Sequence, residues 1–197
     1  MATHPRTATI SLDDFIAALE ASETGLEFVD GQIVALAGTS LEHGLITQRI
    51  AQALGNQLQG RPCGVVSQGT LVTPRVGDNA YLPDVAVFCG GPQRERVRGS
   101  DLLLNPTLLV EVLSPSTAGY DHVTKGDSYR RISSLQDYLL VSQDRPRIQQ
   151  FTRHGEGFWL FKETTGLNAV VRLDSLDVSL ALSEIYEGVL AADERSA

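Results

Sequence analysis

The amino-acid sequence predicts an α/β (α+β) fold in which a central mixed β-sheet is flanked by helices. Two observations carry that expectation. Apolar residues recur at three- and four-residue steps in a short stretch after Ser11 and a long one from Leu41 to Leu58, the pattern of amphipathic helices. Between and after them lie short apolar or β-branched runs bounded by Gly, Pro and Asn, the pattern of strands. The order is helix, several strands, helix, further strands, as in layered α/β and α+β domains.

Ser11 with Asp14 three residues on forms an N-cap pair, and Phe15, Ile16 and Leu19 supply the stripe of a short first helix. Leu26–Asp30 and Gln32–Ala37 read as an additional N-terminal hairpin turning at Gly31. Ser40 caps a long helix with Glu42 in its first turn, and Leu41, Leu45, Ile46, Ile50, Ala53, Leu54 and Leu58 carry its stripe to about Gln59. Strands are expected at Cys63–Ser67, Thr70–Pro74, Asp84–Cys89 and Thr107–Leu113, followed by a helix from about Thr117 to Ile132. Further strands follow at Asp137–Ser142, Arg147–Arg153 and Phe158–Glu163, and Ser183 is expected to cap a short helix, Glu184–Leu190.

The chain has 197 residues, the size of one domain, which is placed at 11–190 with fraying termini at 1–10 and 191–197. A hydrophobic content of 42% is ordinary for a globular protein. No apolar run approaches the ~18–20 residues needed to cross a bilayer. The first residues lack the charged start, apolar core and small-residue site of a secretory signal, so the expected location is cytoplasmic. Cys63 and Cys89 can be two free buried thiols or one disulfide, and a reducing cytoplasm favours free thiols. The net charge is −8, with 24 acidic and 16 basic residues. A protein that holds a polyanion by neutralising phosphates needs a basic face. Binding nucleic acid would here require metal ions, a local basic surface or a second subunit.

Glu111 is the most informative residue. It interrupts Leu108-Leu109-Val110-Glu111-Val112-Leu113, a run suited to a central strand covered on both faces. A carboxylate there is costly unless paired, hydrogen-bonded or bound to metal. Asp84 opens another strand after Pro83, where simple turn chemistry would also explain it. Two adjacent strands can bring Asp84 and Glu111 together, and a hard cation such as Mg²⁺ is held by one or two carboxylates with water and phosphate. Asp121, Lys125 and Tyr129 repeat every fourth position down one helix face. Read alone, they are a solvated face with an Asp–Lys pair; beside a metal site, Lys125 can stabilise charge building on phosphate.

The segments Tyr81-Leu82-Pro83-Asp84-Val85-Ala86-Val87 and Asn105-Pro106-Thr107 through Ser116-Thr117, with Asp121, Lys125 and Tyr129, resemble the Uma-type family of bacterial endonucleases. So do Glu27-Phe28-Val29-Asp30-Gly31, Glu42-His43-Gly44 and Tyr138 through Gln143. The resemblance runs from about Ser11 to Val189 and implies a restriction-endonuclease-like, PD-(D/E)xK core. It further implies a Mg²⁺ (or Mn²⁺) site, a nucleic-acid substrate, DNA before RNA, and a homodimer. Asp84 and Glu111 match the two acids of that pattern. Where the pattern has lysine, two residues beyond Glu111, this chain has Leu113, and the family resembles variants whose lysine lies on the next helix, here Lys125.

The expected metal ligands are Asp84, Glu111, the Val112 carbonyl and, for a second ion, Glu42; the expected catalytic residues are Asp84, Glu111, Lys125, Tyr129 and His43. Glu42 is also explained by the helix dipole, and His43 by a core position. His122 is expected on the neighbouring helix face; had it met His43, Asp84 and Glu111, a zinc hydrolase would be open. The basic segment Gln93–Arg98 either reaches phosphates near the metal or is a mobile solvated loop. Two readings stand beside a metal-dependent nuclease: an inactive binding or assembly module, favoured by the acidic charge and Leu113, and a metal hydrolase of small phosphoesters.

Overall fold

The computed structural model describes residues 9–67, 69–75, 77–114, 118–155 and 157–190. Helix α1 (Leu12–Ala21) starts at a complete capping box, with Asp14 N–H donating to Ser11 Oγ at 3.1 Å. The hairpin β1 (Leu26–Val29) and β2 (Gln32–Ala35) turns through Asp30 and Gly31 at φ of 50° and 76°. Two consecutive positive φ values are what a two-residue primed turn requires. Helix α2 (Leu41–Leu58) begins at Ser40, whose Oγ accepts from His43 N–H. Its apolar stripe sinks Ile46, Ile50, Leu54 and Leu58 into the core, whereas Leu41 is exposed.

The central sheet has six strands in the order β11-β10-β9-β8-β5-β3. These are β3 (Cys63–Ser67), β5 (Val85–Cys89), β8 (Pro106–Leu113), β9 (Asp137–Ser142), β10 (Arg147–Arg153) and β11 (Trp159–Thr165). The sheet is mixed because β8 and β9 run parallel while the other neighbours are antiparallel. Alternation along β8 divides the core. Leu108, Val110 and Val112 face α2, and Leu109 faces Tyr129, Ile132 and Tyr138. A central mixed sheet flanked by helices, with the added N-terminal hairpin, is the architecture expected from the sequence.

Several local expectations are corrected. Thr70–Pro74 contributes only the two-residue strand β4 (Leu71–Val72), which joins a small separate sheet. The other members of that sheet are β6 (Arg94–Val97) and β7 (Ser100–Leu103), so the basic segment is a paired hairpin and not a mobile loop. Asp101 accepts from both Arg94 (2.9 Å) and Arg96 (3.1 Å), taking up their charge inside the hairpin. C-terminal strands β12 (Val170–Leu173) and β13 (Val178–Ala181) pair with each other, and α5 is the single turn Leu182–Ile185, beginning at Ala181 and not capped by Ser183. Cys63 and Cys89 form a disulfide where free thiols were favoured. The β3/β5 register sets these two residues directly opposite each other, which sequence spacing does not disclose.

The helical stretch after β8 consists of α3 (Ala118–Tyr120), a π-helical turn (Asp121–Lys125) and α4 (Gly126–Tyr129). Thr117, where the helix was expected to start, lies outside the described residues, and Ile132 lies beyond its end. In the π turn Gly126 N–H reaches the Asp121 carbonyl, which also accepts from the Tyr138 hydroxyl at 3.0 Å. Arg153 of β10 donates to the carbonyls of Arg130, Ile132 and Leu135, fixing the far end of the segment. Such widened turns recur at functional sites.

Candidate metal and phosphoryl-transfer site

Asp84 and Glu111 meet through the β5/β8 pairing. Val85 pairs with Val110, so one further step of the same antiparallel register sets Asp84 opposite Glu111. Directly opposed residues share a face, with Cβ atoms roughly 4.5–5.5 Å apart. Asp84 is held by the Val112 N–H, which donates to Oδ2 at 2.7 Å. Both carboxylates line a cleft of about 210 Å³ together with Val112, Ser40, His43, Tyr120, Asp121, Lys125 and the loop Leu36–Thr39.

Glu111 is 3% exposed. Its Oε1 accepts from Lys125 Nζ at 3.1 Å and from the Tyr129 hydroxyl at 2.9 Å. Burial pushes the Glu111 carboxyl well above the usual range, Lys125 opposes that rise, and Asp84, Asp121 and Glu27 add to it. Tyr129 is fully buried with its ring edge-on to Tyr81 and Tyr138, so its hydroxyl is aimed at Glu111 by packing. Asp121, Lys125 and Tyr129 are thus a buried polar row and not a solvated helix face.

Lys125 from the π turn reaches the Glu111 carboxylate, whereas Leu113 of β8 is apolar. Its ammonium lies 2.9 Å from Glu27 Oε1, 3.1 Å from Glu111 Oε1 and 3.3 Å from Asp121 Oδ1. Burial disfavours the charged amine, but Glu111, Glu27 and Asp121 outweigh it and raise its pKa well above that of an ordinary lysine. Lys125 is therefore an ammonium at neutral pH, a fixed positive charge at the base of the cleft.

Glu27 was not among the expected site residues. It is fully buried on β1, accepts from Leu82 N–H at 3.0 Å, and takes the Tyr120 hydroxyl at 2.9 Å. The signal that singles out Glu111 was available here too, since Glu27 interrupts the apolar run Leu26–Val29. His43 lies in the cleft with Nε2 3.2 Å from Asp84 Oδ2, and its buried Nδ1 has no hydrogen-bond partner among the described residues. Glu42 is exposed on the first turn of α2 and does not line the cleft. His122 packs perpendicular to the Phe151 ring, 6.4 Å between centroids, and does not line the cleft that holds His43, Asp84 and Glu111.

The hard oxygens that the cleft offers a cation are those of the Asp84, Glu111 and Asp121 carboxylates, with Val112 on its wall. Among the described residues no three His, Cys, Asp or Glu side chains are arranged as a self-sufficient metal cage. Mg²⁺ does not demand one, because it keeps several waters and commonly takes one or two carboxylates plus substrate phosphate. The residues present fit that coordination style.

The comparisons agree with this architecture. A crystal structure of a "putative nuclease belonging to DUF820" from Anabaena variabilis superposes with a TM-score of 0.72, covering 92% of this chain and 99% of that one at 19% identity. Two uncharacterized proteins of Synechocystis sp. are similar in sequence. One is 34% identical over 163 residues (83% of this chain, 84% of that protein), the other 30% over 152 residues (77% and 85%). The family model Uma2, described as "Putative restriction endonuclease", matches residues 12–183. With a match of that extent, the chain belongs to the Uma2 family, and its fold is that of the nuclease-like neighbour.

Proposed function

We propose that the protein is a Mg²⁺- or Mn²⁺-dependent endonuclease that hydrolyses phosphodiester bonds in nucleic acid. The observation that carries this reading is the convergence, in one cleft, of Asp84, Glu111 and the buried ammonium of Lys125. Asp84, Glu111 and the Val112 carbonyl would hold the ion. When bound, such an ion lowers the pKa of a coordinated water and polarises a phosphoryl oxygen. Lys125 stabilises negative charge that develops on the phosphate in the transition state. Tyr129 fixes the Glu111 carboxylate, and the Val112 N–H fixes Asp84. His43, with Nε2 3.2 Å from Asp84 Oδ2, lies against that carboxylate and helps to hold it in place.

DNA is the expected substrate ahead of RNA; no helix of the described residues is long and apolar enough to cross a membrane. A homodimer fits the edge strand β11, which leaves Leu160 and Phe161 exposed beside Phe158. The test is Mg²⁺-dependent cleavage of mixed DNA and RNA by the wild type and by Asp84→Ala, Glu111→Ala and Lys125→Ala. Wild-type rates in all three variants would remove the proposal.

One observation favours a binding or assembly module instead. Leu113 stands where the nuclease pattern has lysine, in a chain whose net charge of −8 does not favour a polyanion. Titration calorimetry with Mg²⁺ and Mn²⁺ separates the readings, since such a module shows no carboxylate-dependent uptake. Cleavage of a chromogenic phosphodiester without cleavage of polynucleotides would instead mark a small-phosphoester hydrolase.

A further inference from the structure

Glu27 has no part in the proposed chemistry, yet it is the best anchored carboxylate around the cleft. It comes from the N-terminal hairpin, outside the six-stranded sheet, and is fully buried. Two donors other than Lys125 hold it: Leu82 N–H on Oε1 at 3.0 Å and the Tyr120 hydroxyl on Oε2 at 2.9 Å. Leu82 lies two residues before Asp84, so the same short segment positions Glu27 and an expected metal ligand. A buried glutamate held this firmly costs desolvation unless a charge answers it. That charge is Lys125, 2.9 Å away and shared with Glu111 at 3.1 Å.

The sharing has a consequence for any cation that approaches Glu111. An ammonium already occupies Glu111 Oε1, and two positive charges at one carboxylate repel strongly where water is scarce. Lys125 must slacken its hold on Glu111 without leaving the cleft. Glu27 and Asp121 are the groups that can keep it. Of the two, Glu27 is nearer and is immobilised by its own donors, while Asp121 lies one helical turn before Lys125 at 3.3 Å.

From this geometry we infer that Glu27 is a positioning residue: it retains the Lys125 ammonium when a divalent cation takes Glu111, so that the two positive charges occupy separate carboxylates. This rests on the metal-dependent reading above. Without Glu27 the ammonium falls back on Glu111 and competes with the metal. Glu27→Gln keeps one acceptor for Leu82 N–H or Tyr120 and removes the charge, so it isolates the hand-over from the packing.

The experiment is a two-by-two calorimetric cycle with Mn²⁺ on the full chain: wild type, Glu27→Gln, Lys125→Met and the double variant, each checked for folding by circular dichroism. Glu27→Gln is expected to weaken Mn²⁺ binding by about tenfold when Lys125 is present, a typical size for coupling between neighbouring groups. In the Lys125→Met background the same change should alter affinity less than about twofold. Tyr120→Phe, which only loosens Glu27, should weaken Mn²⁺ binding in the same direction by a smaller factor, and it serves if Glu27→Gln does not fold. Equal losses in both backgrounds would assign Glu27 a merely structural role and overturn the inference, as would no loss with Lys125 present. A wild type that takes up no Mn²⁺ overturns the metal-dependent reading and the hand-over together. Uptake that is indifferent to Glu27 and Tyr120 overturns the hand-over alone.

Discussion

Replacing Lys125 by methionine keeps the length and apolar stem of the side chain while deleting the ammonium that answers Glu27, Glu111 and Asp121 within 3.3 Å. All four groups are nearly inaccessible, with Lys125, Glu111 and Asp121 each 3% exposed and Glu27 at 0%. Breaking a buried pair by removing one partner costs roughly 3–5 kcal/mol, because the charge left behind is neither solvated nor matched. In a domain of this size a loss of that order lowers Tm by roughly 6–20 °C, at ~2–4 °C per kcal/mol. The deficit should depend on pH with a definite sign. Burial already lifts the Glu111 carboxyl well above its usual range, and Lys125 is what restrains it. Without Lys125 the folded-state pKa rises further. A group raised on folding contributes stability that is fully present below its unfolded pKa and is lost as pH climbs through the folded one. The variant should therefore lie closest to the wild type within the ordinary carboxylate range and fall further behind as pH climbs through the raised Glu111 pKa. Urea denaturation over a pH series measures this. A loss below about 1 kcal/mol across the series would refute the view that Lys125 is the counter-charge of a buried acidic cluster.

Tyr129→Phe leaves the ring in its aromatic cluster and removes the hydroxyl from Glu111, so a loss of about 1–3 kcal/mol is expected by chemical denaturation. Under non-reducing conditions the denatured protein should show no titratable thiol, and Cys63→Ser with Cys89→Ser should cost about 2–4 kcal/mol for releasing a cross-link over 26 positions. Phe161→Glu on the exposed edge strand should halve the mass found by light scattering if the protein is a β11-joined homodimer; an unchanged dimer would place the contact elsewhere.

Much of the frame is local and so is legible along the chain. Ser11 with Asp14, and Ser40 before an apolar four-residue repeat, mark helix starts because caps and periodicity act within one or two turns. Glu111 is conspicuous because a carboxylate inside an apolar run implies a compensating partner wherever the strand ends up. Neither the identity nor the number of those partners is local. Leu113 leaves the lysine position of the nuclease pattern empty, and only the π turn after β8 shows that Lys125 lies against Glu111, buried and held by Glu111, Glu27 and Asp121.

The same distinction explains the corrections. For Gln93–Arg98 the chain left open a phosphate-reaching segment or a solvated loop, because it does not show that β6 and β7 pair and hand the charges of Arg94 and Arg96 to Asp101. Cys63 and Cys89 looked like separate thiols because only the strand register sets them face to face. For Asp84 and Glu111, sequence alone identified two acids and the strands that carry them. Tertiary structure decided that one antiparallel register sets them side by side in a cleft, and that a glutamate from a remote hairpin shares Lys125 with Glu111. Residue type and short-range pattern settle what a segment becomes. The pairing of distant strands settles which charges must answer one another, since electrostatic partners are chosen by distance in space.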